Sequence, residues 1–225
     1  MPIPDLASLP GSSRPGSGVT PSAPPLAQID NVYSMEFDGV NDYIDVGSTT
    51  ITGSCSTSLW FKTTSNALVN LLGGVKPGFP GMFQYLGIQN GKAIVFISGL
   101  AASVELAPQN INDGLWHNLV LAYDSTTSGG PAKGTFYAYV DGALTRTFDM
   151  SPFSSNWSIQ TFTTIGAYSG GPFRFFNGFM DEVAVWDVTL TEAEALSIYN
   201  ATEAGKTADL SQLTTPPIAW YRMGD

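Results

Sequence analysis

Gly178-Phe179-Met180-Asp181-Glu182-Val183-Ala184-Val185-Trp186-Asp187 is a glycine, then an apolar run carrying two adjacent carboxylates. Leu190-Thr191-Glu192-Ala193-Glu194 follows, and the segment closes at Tyr199-Asn200. The first run reads as a strand, because β-branched and aromatic residues dominate it between turn formers. The second reads as a short helix. Thr191 is its N-cap, and Glu194, three residues later, completes a capping box. Leu190 can staple onto Ala195, and Leu196 with Tyr199 gives an apolar stripe. Adjacent residues of a regular strand point to opposite faces, so Asp181 and Glu182 are expected to be split between two faces. Split in that way, they cannot serve as an acid and nucleophile pair.

Upstream, the chain is a series of short strands bounded by Gly, Pro, Asn and Ser. They are expected at Ser34–Phe37, Tyr43–Gly47, Ser58–Lys62, Leu68–Leu72, Gln84–Ile88, Ala93–Ile97 and Val104–Leu106. Trp116–Tyr123 is apolar on both faces, as a central, doubly covered strand should be. Phe136–Val140 and Leu144–Phe148 flank Asp141-Gly142, a strong two-residue hairpin signal. Thr163–Ile165, Phe175–Trp186 and Ile218–Met223 complete the set. Many short strands with one helix predict an all-β, two-sheet antiparallel β-sandwich. Residues 1–30 differ: Pro2, Pro4, Pro10, Pro15, Pro21, Pro24 and Pro25 alternate with Gly and Ser, which predicts an extended arm. The domain proper is expected to be 31–225.

Composition narrows the function. Of the 225 residues only 12% are charged, and the net charge is −10 with nine scattered Lys and Arg. No basic patch could neutralise a row of phosphates, so neither nucleic acid nor an anionic membrane surface is an expected partner. The single cysteine, Cys55, excludes an intrachain disulfide and reads as a small buried hydrophobe. Met1-Pro2-Ile3-Pro4-Asp5 lacks the basic and apolar regions of a signal peptide. The only histidine, His117, shares a strand face with Leu119 and Leu121 and reads as structural.

Four segments in order resemble the LamG-like domains, the laminin G and pentraxin-type members of the concanavalin A-like jellyrolls. They are Phe37-Asp38-Gly39-Val40-Asn41-Asp42-Tyr43-Ile44, Leu59–Lys62, Asp113–Val120 with Tyr139–Gly142, and Gly178–Trp186 with Leu190–Asn200. The resemblance implies a concanavalin A-like jellyroll used for binding. Glycosidases of the wider fold carry Glu-x-Asp-x-Glu on one strand, and no such triplet occurs. Asp181 and Asp187 share parity but would lie about 20 Å apart in an extended strand. The expectation is therefore a protein that is not an enzyme.

The resemblance also implies a structural calcium ion, with Asp38, Asp42 and Asp181 as its candidate ligands. Glycan contact requires exposed aromatics beside polar groups. The candidates are Asn156 with Trp157, and Tyr168, Phe173 and Arg174, with the loop 76–83 as another. Trp220-Tyr221-Arg222-Met223-Gly224-Asp225 resembles a segment found beside LamG-like domains in tailed-phage structural proteins. With no signal peptide, that resemblance implies a virion protein made in the host cytoplasm: a capsid decoration, or a fibre or spike component. Its expected partners are other virion proteins through the arm, further copies of itself, and host-surface polysaccharide. The alternative is a cellular carbohydrate-binding module.

Overall fold

The computed structural model describes residues 26–75, 83–97, 103–126, 134–149, 159–168 and 173–224. Among them the strands are β1 (Gln28–Asp30), β2 (Met35–Asp38), β3 (Ile44–Thr52), β4 (Cys55–Lys62), β5 (Val69–Val75), β6 (Phe83–Gln89), β7 (Lys92–Ile97), β8 (Val104–Glu105), β9 (Trp116–Asp124), β10 (Thr135–Val140), β11 (Ala143–Asp149), β12 (Ile159–Ile165), β13 (Asn177–Trp186), β14 (Lys206–Ala208) and β15 (Ala219–Tyr221). The helix α1 is Glu192–Asn200. One sheet runs β11-β10-β9-β4-β13-β15, with β2 also paired to β13. The other runs β3-β12-β5-β6-β7-β8. The chain thus forms the two-sheet antiparallel sandwich that the pattern of short strands predicts.

Strand alternation builds the core between the sheets. Leu59, Phe61, Leu119, Leu121, Tyr123, Met180, Val183 and Val185 face Val69, Leu71, Leu86, Ile88, Val95 and Ile165 across it. The opposite face of the seven-stranded sheet is also covered, by α1 and the segment that follows it. Val120, Ala122, Ala184 and Trp186 pack there on Leu190, Ala195, Ile198 and Leu210. That double cover explains why β9 is buried along nearly its whole length.

Local signals became local structure. Asp141 and Gly142 both take positive φ, 52° and 74°, as a two-residue hairpin between right-twisted strands requires. The Thr191–Glu194 capping box forms, and Leu190 and Ala195 are both buried in one cluster. The buried helix face differs from the expected one. Ala195 and Ile198 point inward, and Tyr199 instead stacks on Trp60 with ring centroids 5.7 Å apart. Gln28–Asp30, inside the segment read as arm, pair with Lys206–Ala208. Residues 1–25 lie outside the described residues.

The parity argument for Asp181 and Glu182 fails. Two steps along β4, from Trp60 to Ser58, match three along β13, from Asp181 to Ala184. The extra residue is a β-bulge, and Glu182 sits in it at φ +50°. Met180 and Val183 both face the core, so the two carboxylates between them lie on the outer side together. Asp181 is opposite Trp60. The Glu182 carboxylate accepts from the Trp220 indole N–H, from Arg222 Nε at 3.3 Å and from Asn31 Nδ2 at 3.3 Å.

Glu182 is 3% exposed, so removing it strands three donors in a dry site. Glu182→Ala is expected to cost about 3–5 kcal/mol, the range for breaking a buried charged pair. Glu182→Gln, which keeps one carbonyl acceptor, should cost less. Urea unfolding at neutral pH reads both; equal and small losses would contradict this role.

Candidate functional site

The turn after β2 closes on itself. Asp38 Oδ1 accepts from the backbone N–H groups of Val40 at 2.7 Å and Asn41 at 3.2 Å, and Asp42 Oδ2 accepts from the Asp38 N–H at 2.9 Å. The Val40 and Asn41 amides hold the Asp38 carboxyl below its ordinary range. In the β2–β13 register Asp38 stands opposite Asn177, whose Nδ2 donates to the Asp38 carbonyl at 2.8 Å. Asp181 is four residues further along β13, about 13 Å away. It is buried and accepts from the Glu182 N–H at 2.8 Å. The structure therefore does not bring Asp38, Asp42 and Asp181 together. Among the described residues no three His, Cys, Asp or Glu side chains converge as a metal-holding group. Calcium takes about six to eight oxygens, so this set does not fit one ion.

The second group of candidates does assemble. After β12 the chain makes a loop closed by the Phe176 N–H to the Gly166 carbonyl at 2.8 Å and the Tyr168 N–H to the Phe173 carbonyl at 3.1 Å. That ladder sets the Tyr168 and Phe173 rings 4.6 Å apart. The Arg174 guanidinium lies 5.2 Å from both ring centres. Arg174 has φ +58°, and its carbonyl accepts from the Asn70 N–H of β5 at 2.9 Å, so the turn is pinned to the sheet. Asn156 and Trp157 lie outside the described residues, as do residues 76–82 of the loop 76–83.

Sequence reading missed one neighbour. Tyr43, from the turn before β3, has its ring 6.4 Å from Phe175. Tyr43 and Phe173 are 45% and 44% exposed, although large aromatics usually bury most of their surface. The only signal was an aromatic directly after the polar Asp38–Asp42 turn. Exposed ring faces with a guanidinium beside them can stack on the apolar faces of a sugar and donate to its hydroxyl or carboxylate oxygens.

A profile of the concanavalin A-like lectin/glucanases superfamily matches residues 38–195. The chain belongs to this superfamily. Solved structures agree at the level of fold. A native heptameric SAP-like pentraxin from Limulus polyphemus is 13% identical with a TM-score of 0.57, over 73% of this chain and 80% of that one. The IT-sialidase CBM40 of Ruminococcus gnavus, bound to α2,3-sialyllactose, is 15% identical with a TM-score of 0.55, over 78% and 99%. Domain 4 of a GH43 extracellular arabinanase from Geobacillus stearothermophilus, in complex with arabinotriose, is 18% identical with a TM-score of 0.56, over 81% and 82%. No curated protein sequence matches the chain at a significant level.

This superfamily member holds its histidine between two carboxylates. His117 Nδ1 is 2.9 Å from Asp141 Oδ2, and Nε2 is 3.1 Å from Asp113 Oδ1. Asp141 also accepts from the Asn118 N–H at 2.9 Å, so the β10–β11 turn is tied to β9. Burial pulls the His117 value down, but hydrogen bonding and charge from Asp141, then Asp113, outweigh it and raise it above 6.5. Burial raises Asp113, but the Leu115 N–H and His117 outweigh that and leave it below 3.8. Both ring nitrogens are engaged, which makes His117 a clamp.

The sign of the pH dependence follows. The His117 contribution is complete below its ordinary value of 6.5 and is lost as pH rises through the raised folded value. The Asp113 contribution is present above 3.8 and is lost as pH falls through the lowered value. The melting-temperature advantage of the wild type over His117→Gln should therefore be largest in mild acid and shrink toward alkaline pH. An advantage that grows with pH would refute the clamp.

Proposed function

We propose that this chain is a non-catalytic carbohydrate-binding module that meets its ligand through Tyr168, Phe173 and Arg174, flanked by Tyr43 and Phe175. The observation that carries this reading is the aromatic pair of exposed Phe173 and half-buried Tyr168 with a guanidinium over both rings. The superfamily match supports it, as do structural neighbours whose names give bound sialyllactose and arabinotriose. The non-catalytic part is supported by Asp181 and Glu182, the adjacent carboxylates of the closing strand. Glu182 is committed to three donors and Asp181 to a backbone amide.

The virion role is retained as a second proposal: a capsid decoration or fibre component with partners along the proline-rich segment, self-association and a virion location. Two sequence features support it, that segment and the resemblance of Trp220–Asp225. Trp220 and Arg222 also have a role inside the fold, so the weight rests on the proline-rich segment.

Phe173→Ala and Arg174→Gly are each expected to weaken glycan affinity about tenfold, roughly 1.4 kcal/mol, with little change in melting temperature. Glycine suits the positive φ of Arg174, so its substitution does not strain the turn. A glycan array followed by calorimetry on the hits is the measurement. Unchanged affinity in both variants would overturn the assignment. Deletion of residues 1–25 should leave glycan affinity intact and abolish any attachment to virus particles; retained attachment would sink the second reading.

A further inference from the structure

The loop that carries Phe173 and Arg174 runs straight into β13. Phe176 and Met180 face the core, and Gly178 between them stands opposite core-facing Phe37. Alternate residues of an extended chain share a side, so Phe175, Asn177 and Phe179 point the other way, to the outer face of the seven-stranded sheet. Phe179 bears out the parity, because it packs beside Trp60 and Trp116 of that face. Phe175 and Phe179 are half-buried, and Asn177 is exposed.

Phe179 lies in a transverse row. Glu36 of β2 stands opposite it on one side and Lys62 of β4 on the other, and Lys62 stands opposite Trp116 of β9. Gly178 lets β4 come this close. Its φ is +142°, and a Cβ there would lie 2.2 Å from the Lys62 carbonyl oxygen. The Lys62 ammonium sits 5.9 Å from the Phe179 ring centre. No carboxylate pairs with it among the described residues, although the chain has 19 Asp and Glu against nine Lys and Arg. The last turn of α1 sets Tyr199 on Trp60. Phe179 and Lys62 lie one outer row beyond Trp60, and both keep part of their surface in solvent.

A ring with a cation over it thus occurs at both ends of this stretch: Arg174 over Tyr168 and Phe173, and Lys62 over Phe179. Phe175, with Tyr43 beside it, and exposed Asn177 lie between them. Four residues of extended chain set Phe175 and Phe179 about 13 Å apart. A single sugar ring cannot touch both ends.

We infer that the site takes a linear chain of several sugars laid along the outer side of residues 173–179, with Phe179 and Lys62 as its far subsite. There Phe179 stacks on a ring face and the Lys62 ammonium donates to hydroxyl oxygens. The inference rests on the carbohydrate-binding reading and extends it from a loop contact to an extended ligand. Joining two contacts on one ligand makes the second intramolecular, so ligand length itself raises affinity.

Calorimetry on the full chain with arabinotriose and arabinohexaose tests it, together with the three- and six-residue members of any other linear glycan that binds the array. The six-residue ligand should bind about tenfold tighter than the three-residue one, or better. Phe179→Ala and Lys62→Met should each remove most of that gap and leave the three-residue affinity within about twofold, whereas Phe173→Ala weakens both ligands. Lys62→Met keeps an apolar stem on Phe179, so it reads the ammonium even if Phe179→Ala lowers the melting temperature. No gain with length, or a gain that survives both variants, overturns the far subsite and leaves the loop reading intact. A drop in mass by light scattering in Phe179→Ala, with the gain unchanged, makes this surface a contact between copies and overturns it too. A wild-type chain that binds no arrayed glycan overturns the loop reading with it.

Discussion

The edge of β13 that faces away from β4 has to be covered, and no single strand covers it. β2 pairs with Asn177–Met180 and β15 with Val183–Val185, so two short strands from opposite ends of the chain meet over Asp181 and Glu182. At that junction the ladder is interrupted, and backbone left dry and unpaired there would be costly. The bulge takes up the interruption. Glu182 fills it with a carboxylate that Trp220 and Arg222 reach from the β15 side and Asn31 from the β2 side. A buried charge is tolerated only where donors surround it, and a guanidinium is among these three. The Glu182 carboxylate thus ties segments from both ends of the sandwich to β13.

What the sequence made legible is local. The Asp141-Gly142 hairpin and the Thr191–Glu194 cap depend on residues within a few positions of each other, and both formed as expected. The bulge was not legible, because alternation along one strand says nothing about which strands flank it. β1 was hidden for the same reason: Gln28-Ile29-Asp30 adjoins proline-rich sequence, and only pairing with Lys206–Ala208 makes it a strand. The helix stripe shifted by one residue because the covering surface decides which side is buried. Small Ala195 lets the helix approach the flat outer face of the sheet, where Ala122 and Ala184 also lie.

The site divides along the same line. Tyr168, Phe173 and Arg174 lie within one loop and came together. Asp38, Asp42 and Asp181 needed two distant segments to converge at one level of β13, and the register set them apart. Tyr43 carries only a weak sequence signal, an aromatic directly after the polar Asp38–Asp42 turn. Its place beside the loop became visible only through the Phe175 ring next to it.

The two faces of the sandwich have different fates. Where α1 and the segment behind it close the outer face of the seven-stranded sheet, contacts serve packing. Several of the acidic side chains near that sheet are also committed: Glu182 to the β13 junction, and Asp113 and Asp141 to His117. The loop beside the other sheet stays outside that packing, with Phe173 and the neighbouring Tyr43 exposed. On the proposed carbohydrate-binding reading, a surface of that kind discriminates by ring stacking and hydroxyl geometry more than by Coulomb attraction. That chemistry suits a chain of net charge −10, whose long-range field attracts no anionic polymer.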